Sequence, residues 1–129
     1  MNKKPNILCV DGKPSALFLL GIELTQSGYE TITAENGDEA LAILQRKRVD
    51  LVLLSTVMPK LSGYDVCEKI KKSYKTRHIP VVMIGDKDCK ENRDKSIKAG
   101  ADSFISRPFD WIELLNRVRI LLKIHSEYG

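Results

Sequence analysis

Apolar residues along this chain fall into short unbroken runs, with longer amphipathic stretches between them. Ile7-Leu8-Cys9-Val10, Val52-Leu53-Leu54 and Val81-Val82-Met83-Ile84 are continuous rather than alternating. Such runs suit strands that are covered on both faces, as in a parallel sheet. Glu30-Thr31-Ile32-Thr33 and Ser103-Phe104-Ile105 are shorter and read as two further strands.

The stretches between these runs carry helix punctuation. Pro14 suits the first turn of a helix that ends near Ser27, and Gly28 suits its stop. Asn36 can cap a helix through Glu39-Ala40-Leu41-Ala42-Ile43-Leu44. Ser62 and Asp65 have capping-box spacing ahead of Val66-Cys67-Glu68-Lys69-Ile70. Asp88 with Glu91 and Asp110 with Glu113 repeat that spacing, with aspartate as the expected cap, and Ala99-Gly100 ends the fourth helix. Alternating strands and helices imply an α/β fold: a single-domain, doubly wound, five-stranded parallel sheet of flavodoxin-like (βα)5 type. One domain over residues 1–129, with its core at about 6–124, is the expected organisation.

In an open sheet of this kind the ligand crevice lies at the carboxyl ends of the strands, near the switch in strand order. That rule selects Asp11-Gly12, Ser55-Thr56-Val57 and Gly85-Asp86, with Arg107 on the same rim after the fifth strand.

Composition narrows the function classes. A length of 129 residues suits one domain, and 43% hydrophobic with 29% charged residues suits a soluble globular one. No apolar run approaches the roughly 18 residues that span a membrane. The segment before the first strand is too short for a signal peptide, so a cytoplasmic location is expected. Cys9, Cys67 and Cys89 form no CxxC pair and read as reduced thiols. The net charge of +4 gathers in Arg46-Lys47-Arg48 and in Lys69, Lys71, Lys72, Lys75 and Arg77. No stacking aromatics interleave these charges, so they read as a solvated surface, and nucleic acid is an unfavoured partner. His78 and His125 lie away from the expected rim, so no Ser-His-Asp set forms and no enzyme is expected.

Several motifs in this order resemble the response-regulator receiver domain of two-component signalling. They are Ile7-Leu8-Cys9-Val10-Asp11, Asn36-Gly37-Asp38-Glu39-Ala40-Leu41, Asp50 to Pro59 with Gly63, Ile79-Pro80-Val81-Val82, Gly100-Ala101-Asp102 and Pro108-Phe109. The similarity covers about residues 6 to 124. It implies a CheY-like fold and an active site at the rim already selected. It also exposes departures. Where the family has a second acidic residue, this chain has Gly12. The phosphoacceptor aspartate corresponds to Ser55, the switch hydroxyl residue to Gly85, and the lysine before Pro-Phe to Arg107. Asp11 alone keeps the family's residue type.

By this resemblance the chain is a pseudo-receiver. A serine forms no acyl phosphate. Magnesium wants octahedral oxygen ligands with one or two carboxylates, and only Asp11 and the Val57 carbonyl remain as candidate ligands. No cofactor is expected, and Mg²⁺ binding is expected to be weak or absent. Arg107 either pairs with Asp11 across the old pocket or swings out to solvent, with Asp86 and Asp88 as further carboxylates within reach.

The expected role is therefore a phosphorylation-independent protein-interaction module within two-component signalling. Its partner would be a histidine kinase, a phosphotransfer protein or an output protein. The family's switch and interface face maps to Phe104, Ile97, Ile112 and Ile120, which also offers a homodimer surface. Trp111, Leu114, Leu115, Val118, Leu121 and Leu122 form one core-facing stripe on the last helix, with Ile112, Ile120 and Ile124 off it. Leu17-Phe18-Leu19-Leu20 cannot all face one sheet; the surplus either docks a partner or packs on a neighbouring helix. Two other readings stay open: modification of Ser55 by a serine kinase, and a small-ligand site in the crevice. Whether the chain stands alone or belongs to a longer one is left open by its sequence.

Overall fold

A computed structural model describes the backbone of residues 3–128 and the side-chain surroundings as far as His125. Five strands alternate with five helices. They are β1 (Asn6–Val10), α1 (Pro14–Gln26), β2 (Glu30–Ala34), α2 (Gly37–Arg46), β3 (Leu51–Ser55), α3 (Gly63–Lys72), β4 (Val81–Gly85), α4 (Lys90–Ala99), β5 (Ser103–Ser106) and α5 (Trp111–Tyr128). The strands form one parallel sheet in the order β2-β1-β3-β4-β5. This is the doubly wound architecture that the apolar runs imply.

Strand pleating divides the core in two. Ile7, Cys9, Leu51, Leu53, Val82, Ile84 and Ile105 meet Leu17, Leu20 and Leu24 of α1 and Leu114 and Val118 of α5. Leu8, Val10, Val52, Leu54, Val81 and Met83 meet α2, α3 and α4 on the other face. Both faces of the central strands are dry, so their side chains have no polar alternation. The α5 stripe sits as expected: Leu114 and Val118 are fully buried, while Ile112, Ile120 and Ile124 are exposed.

The surplus on α1 resolves two and two. Leu17 and Leu20 are buried, whereas Phe18 is 69% and Leu19 54% exposed. Burial of that surplus against a neighbouring helix does not occur, because the sheet takes only one stripe of this helix.

Helix starts follow the side-chain chemistry in most cases. Asn36 accepts from Glu39 N at 2.8 Å, and Ser62 with Asp65 forms a reciprocal capping box. The expected Asp88 cap is corrected. Helix α4 begins after Cys89, with no side-chain cap. Asp88 pairs instead with Arg93 at 3.3 Å, and Glu91 with Lys95 at 3.3 Å. At α5, Asp110 caps through Ile112 N at 2.9 Å, but Glu113 turns to Arg117 rather than back to the cap.

Lys71 also departs from the solvated reading of its basic run. Its ammonium donates to Ile79 O at 2.7 Å, Asp102 Oδ2 at 2.9 Å and Arg77 O at 3.3 Å. Asp102 Oδ2 in turn accepts from Val81 N at 2.8 Å. Lys71 thus ties α3 to the entrances of β4 and β5.

Candidate functional site

The rim residues are carried one step past their strands by continued ladder bonds. Asp11 N donates to Ala34 O at 3.1 Å, Thr56 N to Ile84 O at 3.0 Å, and Arg107 N to Gly85 O at 2.8 Å. These bonds gather Asp11, Ser55, Gly85 and Arg107 at the carboxyl ends of β1, β3, β4 and β5. The position agrees with the switch-point rule, since β1 and β3 neighbour each other while the chain visits β2 between them.

Arg107 is turned inward. Its Nη2 donates to Asp11 Oδ2 at 2.6 Å and its Nη1 to Asp86 Oδ1 at 3.1 Å. The guanidinium fork therefore spans two carboxylates, one from the end of β1 and one from just beyond β4. The Asp11 side chain is only 5% exposed, whereas Asp86 is 62% exposed. Asp11 Oδ1 is also committed, accepting from Lys13 N at 2.9 Å. Of the two open readings for Arg107, the geometry takes the paired one and adds Asp86. Asp88 is not a partner.

Ser55 is buried, and its hydroxyl closes on its own loop. Oγ donates to Val57 O at 3.2 Å, and Val57 N approaches Oγ at 3.4 Å. The Val57 carbonyl is thereby occupied. Gly63 draws the start of α3 against this turn: its N donates to Thr56 O at 2.9 Å. A β-carbon on Gly63 would overlap the Ser55 carbonyl oxygen, so only glycine fits this approach.

A divalent cation fits this donor set poorly. Asp11 is the one buried carboxylate of the crevice, and both its oxygens are engaged. Gly12 contributes no side chain, and the guanidinium of Arg107 stands beside Asp11. Among the described residues no three His, Cys, Asp or Glu side chains converge as a metal site.

The residues expected to form a switch and interface face, Phe104, Ile97, Ile112 and Ile120, belong to β5, α4 and α5. Phe104 is half-buried on the α2–α4 side of β5 and packs on that core. Its ring reaches under Gly85, where a β-carbon would come within 2.9 Å of Cε1 and Cζ. Arg117 of α5 fixes the same strand by donating to Ser103 Oγ at 2.6 Å and Phe104 O at 2.7 Å. Ile97 and Ile112 are exposed, at 72% and 68%, and Ile120 at 47%.

Some of this was not visible in the sequence. The self-bonded Ser55 and the ring beneath Gly85 leave no pattern in a single chain. Arg117 carries no motif that sets it apart in the sequence, and only the fold brings it to β5. His78 and His125, far apart in sequence, stack with centroids 5.6 Å apart.

With this geometry in place, comparison with known proteins settles the class. Residues 7–119 match the response regulator receiver domain family, and the chain belongs to it. It is 40% identical over 117 residues to the response regulator PleD of Caulobacter vibrioides, covering 91% of this chain and 26% of that protein. It is 36% identical over 123 residues to the alkaline phosphatase synthesis transcriptional regulatory protein PhoP of Bacillus subtilis, covering 95% and 50%. The chain thus spans about half or less of these relatives.

Among solved structures, a CheY-like receiver domain protein from Methanospirillum hungatei superposes with a TM-score of 0.91 at 27% identity, covering 98% of this chain and 100% of that one. The receiver domain of a signal transduction histidine kinase from Syntrophus aciditrophicus gives 0.87 at 32%, covering 92% and 90%. The five-stranded CheY-like fold and the two-component receiver class follow. No helix among the described residues is long and apolar enough to cross a membrane.

Proposed function

We propose that this receiver acts without aspartyl phosphorylation, as a protein-interaction module whose pocket is held in one state by its own arginine. One observation carries the reading: Arg107 bridges Asp11 and Asp86 in the crevice, while the residue at the acceptor position is a serine bonded to its own loop. In a receiver that switches, a ligand biases a two-state pocket. Here the guanidinium cation of Arg107, held between Asp11 and Asp86, supplies that bias from within the chain.

Two surfaces suit a signalling partner. The α1 face exposes Phe18 and Leu19 on a helix of 13 residues with a single charged one, Glu23. The face of α4, β5 and α5 exposes Ile97, Ile112 and Ile120 around Phe104. A histidine kinase, phosphotransfer protein or output protein is the expected class of partner in the cytoplasm, and the second face also suits a homodimer. Phosphorylation of Ser55 by a serine kinase gains no support, because its hydroxyl is recessed and already bonded.

The test is intact-mass measurement after incubation with acetyl phosphate and Mg²⁺. The expected result is an unmodified chain. A stoichiometric phosphoryl adduct, whether labile or stable to hydroxylamine, overturns the proposal.

A further inference from the structure

The far end of the sheet, below the amino ends of β1, β2 and β3, holds a cavity of about 440 Å³ that the crevice chemistry does not use. Pro5, Tyr29 and Leu122 give it an apolar floor. Lys3, Arg48 and Arg119 bring positive charge to its walls, and His125 adds an imidazole held by stacking on His78.

Asp50 is the one carboxylate among the described lining residues, and it is committed. Its Oδ2 accepts from Asn6 N at 2.7 Å and from Arg48 Nη2 at 3.1 Å. Asn6 Nδ2 closes the loop on Arg48 O at 2.9 Å. The acidic group therefore stiffens the wall and leaves the net charge of the cavity positive. Burial pushes the Tyr29 phenol pKa up, and the nearby positive charge of Arg119 partly opposes that rise.

We infer that this cavity is a binding site for a nucleoside polyphosphate. Its size falls in the range of small-ligand pockets, ~300–1,000 Å³. Guanidinium groups match phosphate oxygens; Arg119 is exposed at the site, while Arg48 keeps only the N–H donors left over from its bond to Asp50. The Tyr29 ring and the apolar floor suit a base, whose stacking on an aromatic is sequence-tolerant. Polyphosphate alone would leave the floor unused, and an uncharged nucleoside would leave the cations unused. The site lies at the opposite end of the strands from Ser55, so it stands or falls apart from the function proposed above.

The experiment is titration of the full ¹⁵N-labelled chain with ATP in EDTA, with adenosine and inorganic pyrophosphate as separate probes. Saturable shifts are expected at Tyr29, Arg48 and the last turns of α5, with Asp11, Ser55 and Arg107 unmoved. Pyrophosphate should bind more weakly than ATP, and adenosine more weakly still. Arg119→Ala, on an exposed side chain, should weaken ATP roughly tenfold, the loss of one charge-assisted contact. Arg119→Glu should weaken it further while leaving the spectrum dispersed. Absence of saturable shifts at millimolar ATP overturns the inference. So do shifts confined to the crevice, pyrophosphate binding as tight as ATP, or an Arg119→Ala variant of unchanged affinity.

Discussion

The Phe104 ring occupies the space that a side chain on Gly85 would need, with Cε1 and Cζ each 2.9 Å from where a β-carbon would stand. Glycine at the end of β4 and an inward aromatic on β5 are therefore one feature. Gly85→Thr should force the ring out or overpack the site, costing about 1–3 kcal/mol. The same substitution in a Phe104→Ala background should cost much less, because the space is then free. Chemical denaturation of the four proteins reads the coupling. Equal costs in both backgrounds would mean that the ring yields freely.

Asp11 and Arg107 should show a direct energetic coupling. The pair joins a carboxylate 5% exposed to a guanidinium 31% exposed, at 2.6 Å. Solvent access on the arginine side limits the gain to about 1–2 kcal/mol. A double-mutant cycle of Asp11→Ala and Arg107→Ala measures it. Asp86→Ala should couple to Arg107 more weakly, since its side chain is 62% exposed. A coupling of zero for the Asp11 pair would leave the pocket unheld.

Restoring phosphotransfer chemistry should require several changes. Ser55→Asp places a second carboxylate near Asp11 with Arg107 already engaged, and like charges oppose ionisation of both. A side chain at Gly12 starts 3.1 Å from Pro59 Cδ, so Gly12→Asp needs that loop to give. The double variant should gain Mg²⁺-dependent thermal stability before it gains phosphorylation by acetyl phosphate. Ready phosphorylation of Ser55→Asp alone would contradict this order.

The cysteines should differ sharply in reactivity. Burial pushes the Cys9 thiol up to about 12 and, as the largest cause, the Cys67 thiol up to about 11. Cys89, half-exposed ahead of α4, lacks that shelter. Iodoacetamide at mildly alkaline pH should modify Cys89 first, as peptide mapping reads directly. The raised folded values have a linked effect on stability. The unfolded thiols ionise near the ordinary value of 9, so the contribution is fully present below it and drains away as pH rises toward 11 and 12. Equal labelling of all three would show that the core opens on the timescale of the reaction.

The parallel doubly wound sheet and the rim position were legible because they rest on coarse features. Continuous apolar runs mark buried strands, and strands that alternate with helices mark a parallel sheet. The residues at the rim follow from that topology. What the rim residues do was less legible. Arg107 had three carboxylates within reach, and the choice of Asp11 and Asp86 depends on side-chain torsions that sequence leaves free. Gly85 reads as a missing hydroxyl, while its consequence is a space taken by a residue 19 positions away in the chain. Lys71 sits in a run of similar lysines, and only the fold distinguishes the one whose ammonium reaches two backbone carbonyls and Asp102. Asp88 had the spacing of a cap but lost its carboxylate to Arg93.

The most direct measurement of a pocket fixed from within is the ¹H–¹⁵N spectrum of the chain, with and without Mg²⁺ and acetyl phosphate. Amides of Gly85, Phe104, Ile97 and the first turns of α5 should keep their shifts in every condition. Arg107→Ala should move those same amides with no phosphodonor present. A phosphodonor-dependent shift across Phe104 and the α4–β5–α5 face of the unmodified sequence would contradict the claim.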